Sequence, residues 1–279
     1  MDWNKTKTIF IIVFSILNVF LYSMYVNKYN EDKQVELIGQ ADISTRLKDE
    51  NITIKDQQKE SESVSYISGK INQFTVRELS SLQNQHIQIH DDAEVEAKMI
   101  KLSALPAITE EALTSFVEKN VYKGNSYSLW KIDKRNREAI FFQKSDRYMI
   151  YYNQNATIKV HWNDHLEITR YEQKMFDSLK SFGAKSTLIK ALRAIEIIFD
   201  RGYLPANSTV TKTQLGYSTL VPLTETQVLA PTWYIHVVLP KDENGEQEEA
   251  DYFVNAVDGI IVDIEQNAKE KELELEKQQ

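Results

Sequence analysis

Two pairs of histidines stand four residues apart, His86 with His90 and His161 with His165. On a helix that spacing would turn both imidazoles of a pair toward one metal ion. Both pairs lie in runs that read as strand or turn, where four residues span roughly 13 Å, too far for shared ligation. Neither contains the glutamate of an H-E-x-x-H base. Surface histidines are therefore expected, and no metal. Cysteine is absent, which excludes disulfides and thiolate sites. With eight glycines there is no G-x-x-x-x-G-K or G-x-G-x-x-G run to cradle phosphates. The sequence Gly124-Asn125-Ser126-Tyr127-Ser128 lacks the second glycine of a nucleophile elbow. Acidic residues are plentiful, but no feature selects two of them as a glycosidase pair. No catalytic residue and no cofactor is expected. Trp130, Trp162 and Trp233 sit among alternating apolar residues, as core or inter-sheet packing requires more often than a ligand groove does.

The residue types with the clearest interaction chemistry lie near the start. Residues 8–26 run nineteen positions without a charge and are rich in Ile, Phe, Val and Leu. That is the length needed to cross a hydrocarbon core of roughly 30 Å. Trp3 on one side and Tyr22, Tyr25 and Tyr29 on the other suit the headgroup layer, and Lys5 and Lys7 precede the segment. The segment ends in bulky residues without a small-residue cleavage site, so a retained signal anchor is expected. Residues 1–7 are then a cytoplasmic N-terminus, and the bulk of the chain is extracytoplasmic at the cell membrane. Thr8, Ser15, Asn18, Tyr22 and Tyr25 fall on one heptad seam of this helix. Ser15, Asn18 and Tyr22 are the candidate partner-binding residues, because an amide or hydroxyl in hydrocarbon gains about 1 kcal/mol from bonding across to another helix.

The elements that must position any outer site read as α+β. A membrane-proximal unit over 27–106 starts with a helix near 30–49, carrying Val35, Leu37, Ile38, Ile43 and Leu47. Strands follow around Ile52 and Ile54, around Val64 to Ile67, over 86–90 and over 97–105. A second unit over 107–182 opens with a helix that Thr109 can cap, with Leu113, Phe116 and Val117 on one face and Gly124 past its end. Aromatic and β-branched runs then predict an antiparallel meander with turns at 133–137 and 153–154. The third unit, 183–267, opens with a helix predicted over 183–200 from Leu188, Ala191, Leu192, Ile195, Ile198 and Phe199. Three strand regions follow, the last with a turn at Asp258-Gly259. Residues 268–279, rich in Glu and Lys, predict a frayed helix or disordered end.

A net charge of −8 argues against nucleic acid and acidic polymers as ligands. A large outer portion without cysteine fits a bacterial envelope.

The opening MDWNKTKTIFIIVFSILNVFLYSMYVNKY resembles the start of YycI proteins. Similar too are RLKDENI (46–52), Leu215-Gly216-Tyr217, PTWYI (231–235) and YFVNAVDG (252–259), so that the likeness covers essentially the whole chain. The closing W-x-x and Y-F-V-N-A-x-x-G also look like the end of PepSY-type domains. The resemblance implies tandem helix-plus-antiparallel-sheet units of YycH/PepSY-like kind. It also implies a non-enzymatic accessory regulator of a low-GC Gram-positive two-component system, acting with a YycH-like single-pass protein on the sensor histidine kinase WalK (YycG).

A seven-residue cytoplasmic end relays nothing by itself, so any signal passes sideways to another membrane protein, which is the same class reached from the residues alone. The competing readings are a PepSY-like ligand-binding or peptidase-inhibiting module and an envelope hydrolase. The first would copurify with a peptidase, and the second needs a cleft with converging titratable groups.

Overall fold

The computed structural model describes residues 3–56, 63–221 and 225–263, with side chains at all of these except 4–6, 9, 27–41 and 221. It divides into two units, Met1–Thr53 and Ile54–Gln279. The expected tail over 268–279 lies outside the described residues.

The first unit is a single helix, α1 (Trp3–Asp49). It takes in both the expected span and the expected helix near 30–49, since no proline stands anywhere before Pro106 to break it. Among the described residues no helix is long and apolar enough to cross a membrane. α1 ends where the sequence RLKDENI ends it. Asn51 takes φ 54°, the Ile52 amide donates to the Leu47 carbonyl at 2.7 Å, and the Asn51 amide donates to Lys48 at 2.9 Å. This is the 6→1 and 5→2 pairing of a Schellman stop, accompanied by burial of the apolar residues Leu47 and Ile52.

The second unit is α+β, with two antiparallel sheets. Its elements in chain order are β1 (Thr53–Ile54), which begins at the unit boundary, β2 (Val64–Ile71), α2 (Val76–Leu79), β3 (Gln85–His90), β4 (Glu94–Ala104) and α3 (Glu110–Asn120). A 3-10 turn over Gly124–Ser126 leads to β5 (Tyr127–Asp133), β6 (Glu138–Ser145), β7 (Tyr148–Met149), β8 (Thr157–Trp162), β9 (Glu167–Gln173) and β10 (Phe176–Ser186). The last elements are α4 (Ala191–Asp200), β11 (Thr209–Val221), β12 (Thr226–Val238) and β13 (Glu249–Asn255).

The first sheet has the order β3-β4-β9-β8-β6-β5, with β7 on β6. Its strands alternate, so that Ala139, Phe141, Ile158 and Val160 turn inward onto Leu113, Phe116 and Val117 of α3, and an irregularity in the β9 ladder brings both Ile168 and Tyr171 to the same core. Thr109 caps α3 by accepting from the Ala112 amide. Gly124 is required beyond it, since a Cβ there would lie 2.0 Å from the Val117 carbonyl oxygen.

The second sheet has the order β1-β11-β12-β2-β10, with β13 on β12. One edge of β12 serves two neighbours, pairing 226–229 with β2 and 232–238 with β13. Pro231, which has no amide hydrogen to give, falls at the changeover. α4 lies by this sheet: the Trp233 indole N–H donates to the Ile189 carbonyl at 2.9 Å, just ahead of the helix.

Sheet membership differs from the expected sequential units. Of residues 27–106, the helix belongs to α1, β2 to the second sheet, and β3 and β4 to the first. The boundary expected at 182–183 falls inside β10, and the helix expected from Gly183 starts only at Ala191. Period and apolarity mark where strands lie, but β2, a hundred residues upstream, captures 176–186 by long-range pairing.

Candidate interaction surfaces

The sequence-predicted partner residues Ser15, Asn18 and Tyr22 lie on α1 at i, i+3 and i+7, which brings them onto one stripe of the helix. All three are exposed, and so are their apolar neighbours: Ile11 is 66% and Val19 70% accessible. The described surface of α1 over 10–25 is thus exposed and largely apolar.

His86 and His90 lie on β3 and point to its exposed side, while His161 lies on β8 and His165 in the turn that follows. Among the described residues no group of three or more His, Asp or Glu is arranged to hold a metal ion. His161 Nε2 stands 3.7 Å from both Glu138 and Glu172, and Arg170 approaches to 3.4 Å. Partial burial, aided by Arg170, holds its pKa below the usual histidine value despite the two carboxylates. The Gly124-Asn125-Ser126 run is a turn that leads into a strand, the reverse of a nucleophile elbow.

The tryptophans pack. Trp233 is fully buried, Trp162 nearly so, and Trp130 belongs to a joint between the two sheets that the sequence does not announce. Trp130 stacks on Phe142 at 5.1 Å from the first sheet and meets Tyr234 at 4.8 Å from the second. Tyr151 packs on Phe253 at 5.3 Å. Polar clasps complete the joint. The buried Gln143 amide on β6 donates to the Phe176 carbonyl at 2.9 Å and accepts from the Phe176 amide at 2.8 Å at the start of β10. Asn153 donates to Thr219 and Gln227. The Tyr151 amide donates to the Tyr217 carbonyl at 2.8 Å, beside a parallel bridge between Ile150 and Tyr217. Tyr234 donates its hydroxyl to Asp251, which also meets His236 Nδ1 at 2.7 Å. Burial, reinforced by Asp251, pushes that hydroxyl's pKa far up, so it remains a donor.

A second surface that was not foreseen is the β5–β6 turn. Lys131, Lys134, Arg135 and Arg137 crowd seven residues there, a run visible in the sequence as KIDKRNR. Asp133 is folded back to accept from the Arg135 and Asn136 amides, and these bonds hold its carboxyl below the usual range. Lys134 and Arg137 flank a shallow cleft whose floor holds Ile108, Trp162 and Leu166. Nothing in it converges as catalytic acid, base or nucleophile.

Comparison with known proteins gives one family. A family model described as YycI protein matches residues 31–257. No curated protein matches the chain. Among solved structures, an uncharacterised protein from Eubacterium rectale aligns at TM-score 0.46 and 12% identity, covering 76% of this chain and 90% of its own. The C-terminal domain of Bacillus megaterium YpeB aligns at TM-score 0.39 and 12% identity, covering 68% of this chain and 96% of its own.

Proposed function

Because the chain belongs to the YycI family over residues 31–257, a family whose general role is that of a two-component accessory regulator, we propose that it modulates a sensor histidine kinase of WalK/YycG type. It does so without catalysis, together with a YycH-like single-pass protein. In this reading residues 8–26 anchor the chain in the cell membrane with the N-terminus cytoplasmic, and the second unit works outside. The two helix-and-sheet pairs, α3 with the first sheet and α4 with the second, are read as YycH/PepSY-like modules.

The observation that carries the proposal, beside family membership, is the exposed, largely apolar surface of α1 over 10–25 with Ser15, Asn18 and Tyr22 on one stripe. Such a helix supports a membrane position, and its polar stripe offers hydrogen bonds to a neighbouring helix. A kinase with two signalling states responds to a neighbour that contacts one state better than the other.

Crosslinking in native membranes followed by pull-down tests the assignment. Recovery of a histidine kinase together with a second single-pass protein is the expected result. Recovery of neither removes the proposal, and recovery of a peptidase instead points to the PepSY-like reading.

A further inference from the structure

The H-x-x-x-H spacing of His86 and His90 serves no shared ligand within one copy of β3, where the two residues stand roughly 13 Å apart on one face. It acquires a use across the edge that β3 gives to the first sheet. β3 ends the strand order, and its residues, Gln-His-Ile-Gln-Ile-His, run in unbroken register with β4 and include no lysine, proline or carboxylate. Those are the devices that blunt a sheet edge against further pairing. β10, at the end of the second sheet, has them, with two register irregularities and with Lys180 and Lys185. A second copy of this chain carries the same net charge of −8, yet along β3 it meets no like charge.

The backbone fixes how two such edges can join. The Ile100 amide donates to the Asn84 carbonyl at 2.9 Å, which puts the backbone groups of His86, Gln88 and His90 into the ladder with β4 and turns those of Ile87 and Ile89 outward. Two copies joined antiparallel about a two-fold axis at Gln88 match Ile87 with Ile89 of the other copy as a hydrogen-bonded pair on each side of the axis. The same register sets His86 opposite His90 of the second copy as a non-hydrogen-bonded pair, with Cα atoms about 4.5 Å apart and side chains on one face. His90 already has Glu96 beside it: Nε2 to Oε2 is 3.4 Å, close to the separation of two ligands on one tetrahedral zinc with bonds of about 2.0–2.1 Å. Lys98 holds the other carboxylate oxygen, Oε1, at 3.1 Å. His86 is exposed and, from the second copy, supplies the third ligand.

We propose that two copies of the chain pair through β3 and bind two zinc ions, each held by His90 and Glu96 of one copy and His86 of the other, with water in the fourth position. The ion selects the register, because a shift that centres the axis on Ile87 sets His86 opposite Gln88 and holds no metal. The first sheets then run as one through both copies, and Ile87 and Ile89, which pack at the margin of the α3 core, meet their counterparts.

Sedimentation of the detergent-solubilised full chain, with zinc added alone and the bound metal counted by atomic absorption, tests the site. Free zinc at about twice its dissociation constant should tighten dimerisation about tenfold, as mass action at two sites requires, with two ions per dimer. His86→Ala and His90→Ala, both at exposed positions, each abolish the effect of zinc on association. Mixed together they regain it with one ion per dimer, because His90 of one variant then meets His86 of the other, and that recovery also shows that both variants fold. Zinc without effect on the dimer overturns the proposal, as does a zinc effect that survives either substitution. A mixture as unresponsive as its parts overturns the sharing of the site between copies.

Discussion

At Gly216 the backbone of β11 runs so close to the first sheet that a Cβ would lie 2.4 Å from the Tyr151 ring and 2.6 Å from the Met149 carbonyl oxygen. Gly216→Ala must push the two sheets apart. A loss of about 1–3 kcal/mol, read from the urea midpoint by tryptophan fluorescence, is the expected cost of overpacking there. The same substitution at Gly202, where φ is 79° but nothing lies within 4 Å, adds only backbone strain and no clash. His161 makes a different prediction. Its folded pKa is depressed, so the unfolded chain binds the proton more readily. Its stabilising contribution is present above the unfolded value near 6.5 and is lost as pH falls through the folded one. His161→Gln should therefore flatten the fall of the urea midpoint between pH 7.5 and 5.5. A slope identical to that of the parent protein would remove His161 from the acid response.

Among the elements, β6 belongs to the first sheet by its ladders and to the second through one side chain, since Gln143 clasps both backbone groups of Phe176 where β10 begins. Gln143→Leu keeps the volume but strands two buried polar groups. A loss of about 2–4 kcal/mol in urea unfolding follows, and a change under 0.5 kcal/mol would show that water replaces the amide. No local pattern marks Gln143, because its partner is 33 residues away. By contrast α3 was legible in full: Thr109 caps it, Leu113, Phe116 and Val117 form its face, and Gly124 clears its end, all within one stretch of chain. β3 and β4 were legible from alternation alone. The start of α4 was not, since the chain as far as Ser186 belongs to β10, which pairs with β2, instead of continuing the helix upstream. Of the candidate site, the Ser15, Asn18 and Tyr22 stripe could be read from spacing, because a helix fixes its own faces. The cleft beside the basic turn could not, since its floor comes from the α3 approach and from β8 and its following turn.

For the whole molecule, the two sheets share one body through aromatic packing and backbone bonds, so neither is free to act as an independent module. The prediction at this scale concerns association. Ser15→Leu with Asn18→Leu leaves the apolarity of the helix intact while removing its hydrogen bonds. In a membrane two-hybrid assay the double variant should weaken partner association by a factor corresponding to about 1 kcal/mol. Unchanged association would strip the stripe of its role. Changes on the second unit, such as those at the β5–β6 turn, should leave that signal unaltered.

α1 keeps helical hydrogen bonding over 47 residues, about 70 Å of rod, with its first proline-free stop at the Asn51 turn. A rod of this kind has one phase angle along its whole length: turning the residues near Ser15 turns those near Ile43 by the same amount. Two residues inserted at Gly39 would rotate one end against the other by about 200°, whereas seven would nearly restore the phase and only lengthen the rod. What such a helix passes along is orientation, in a currency of degrees, from one of its ends to the other.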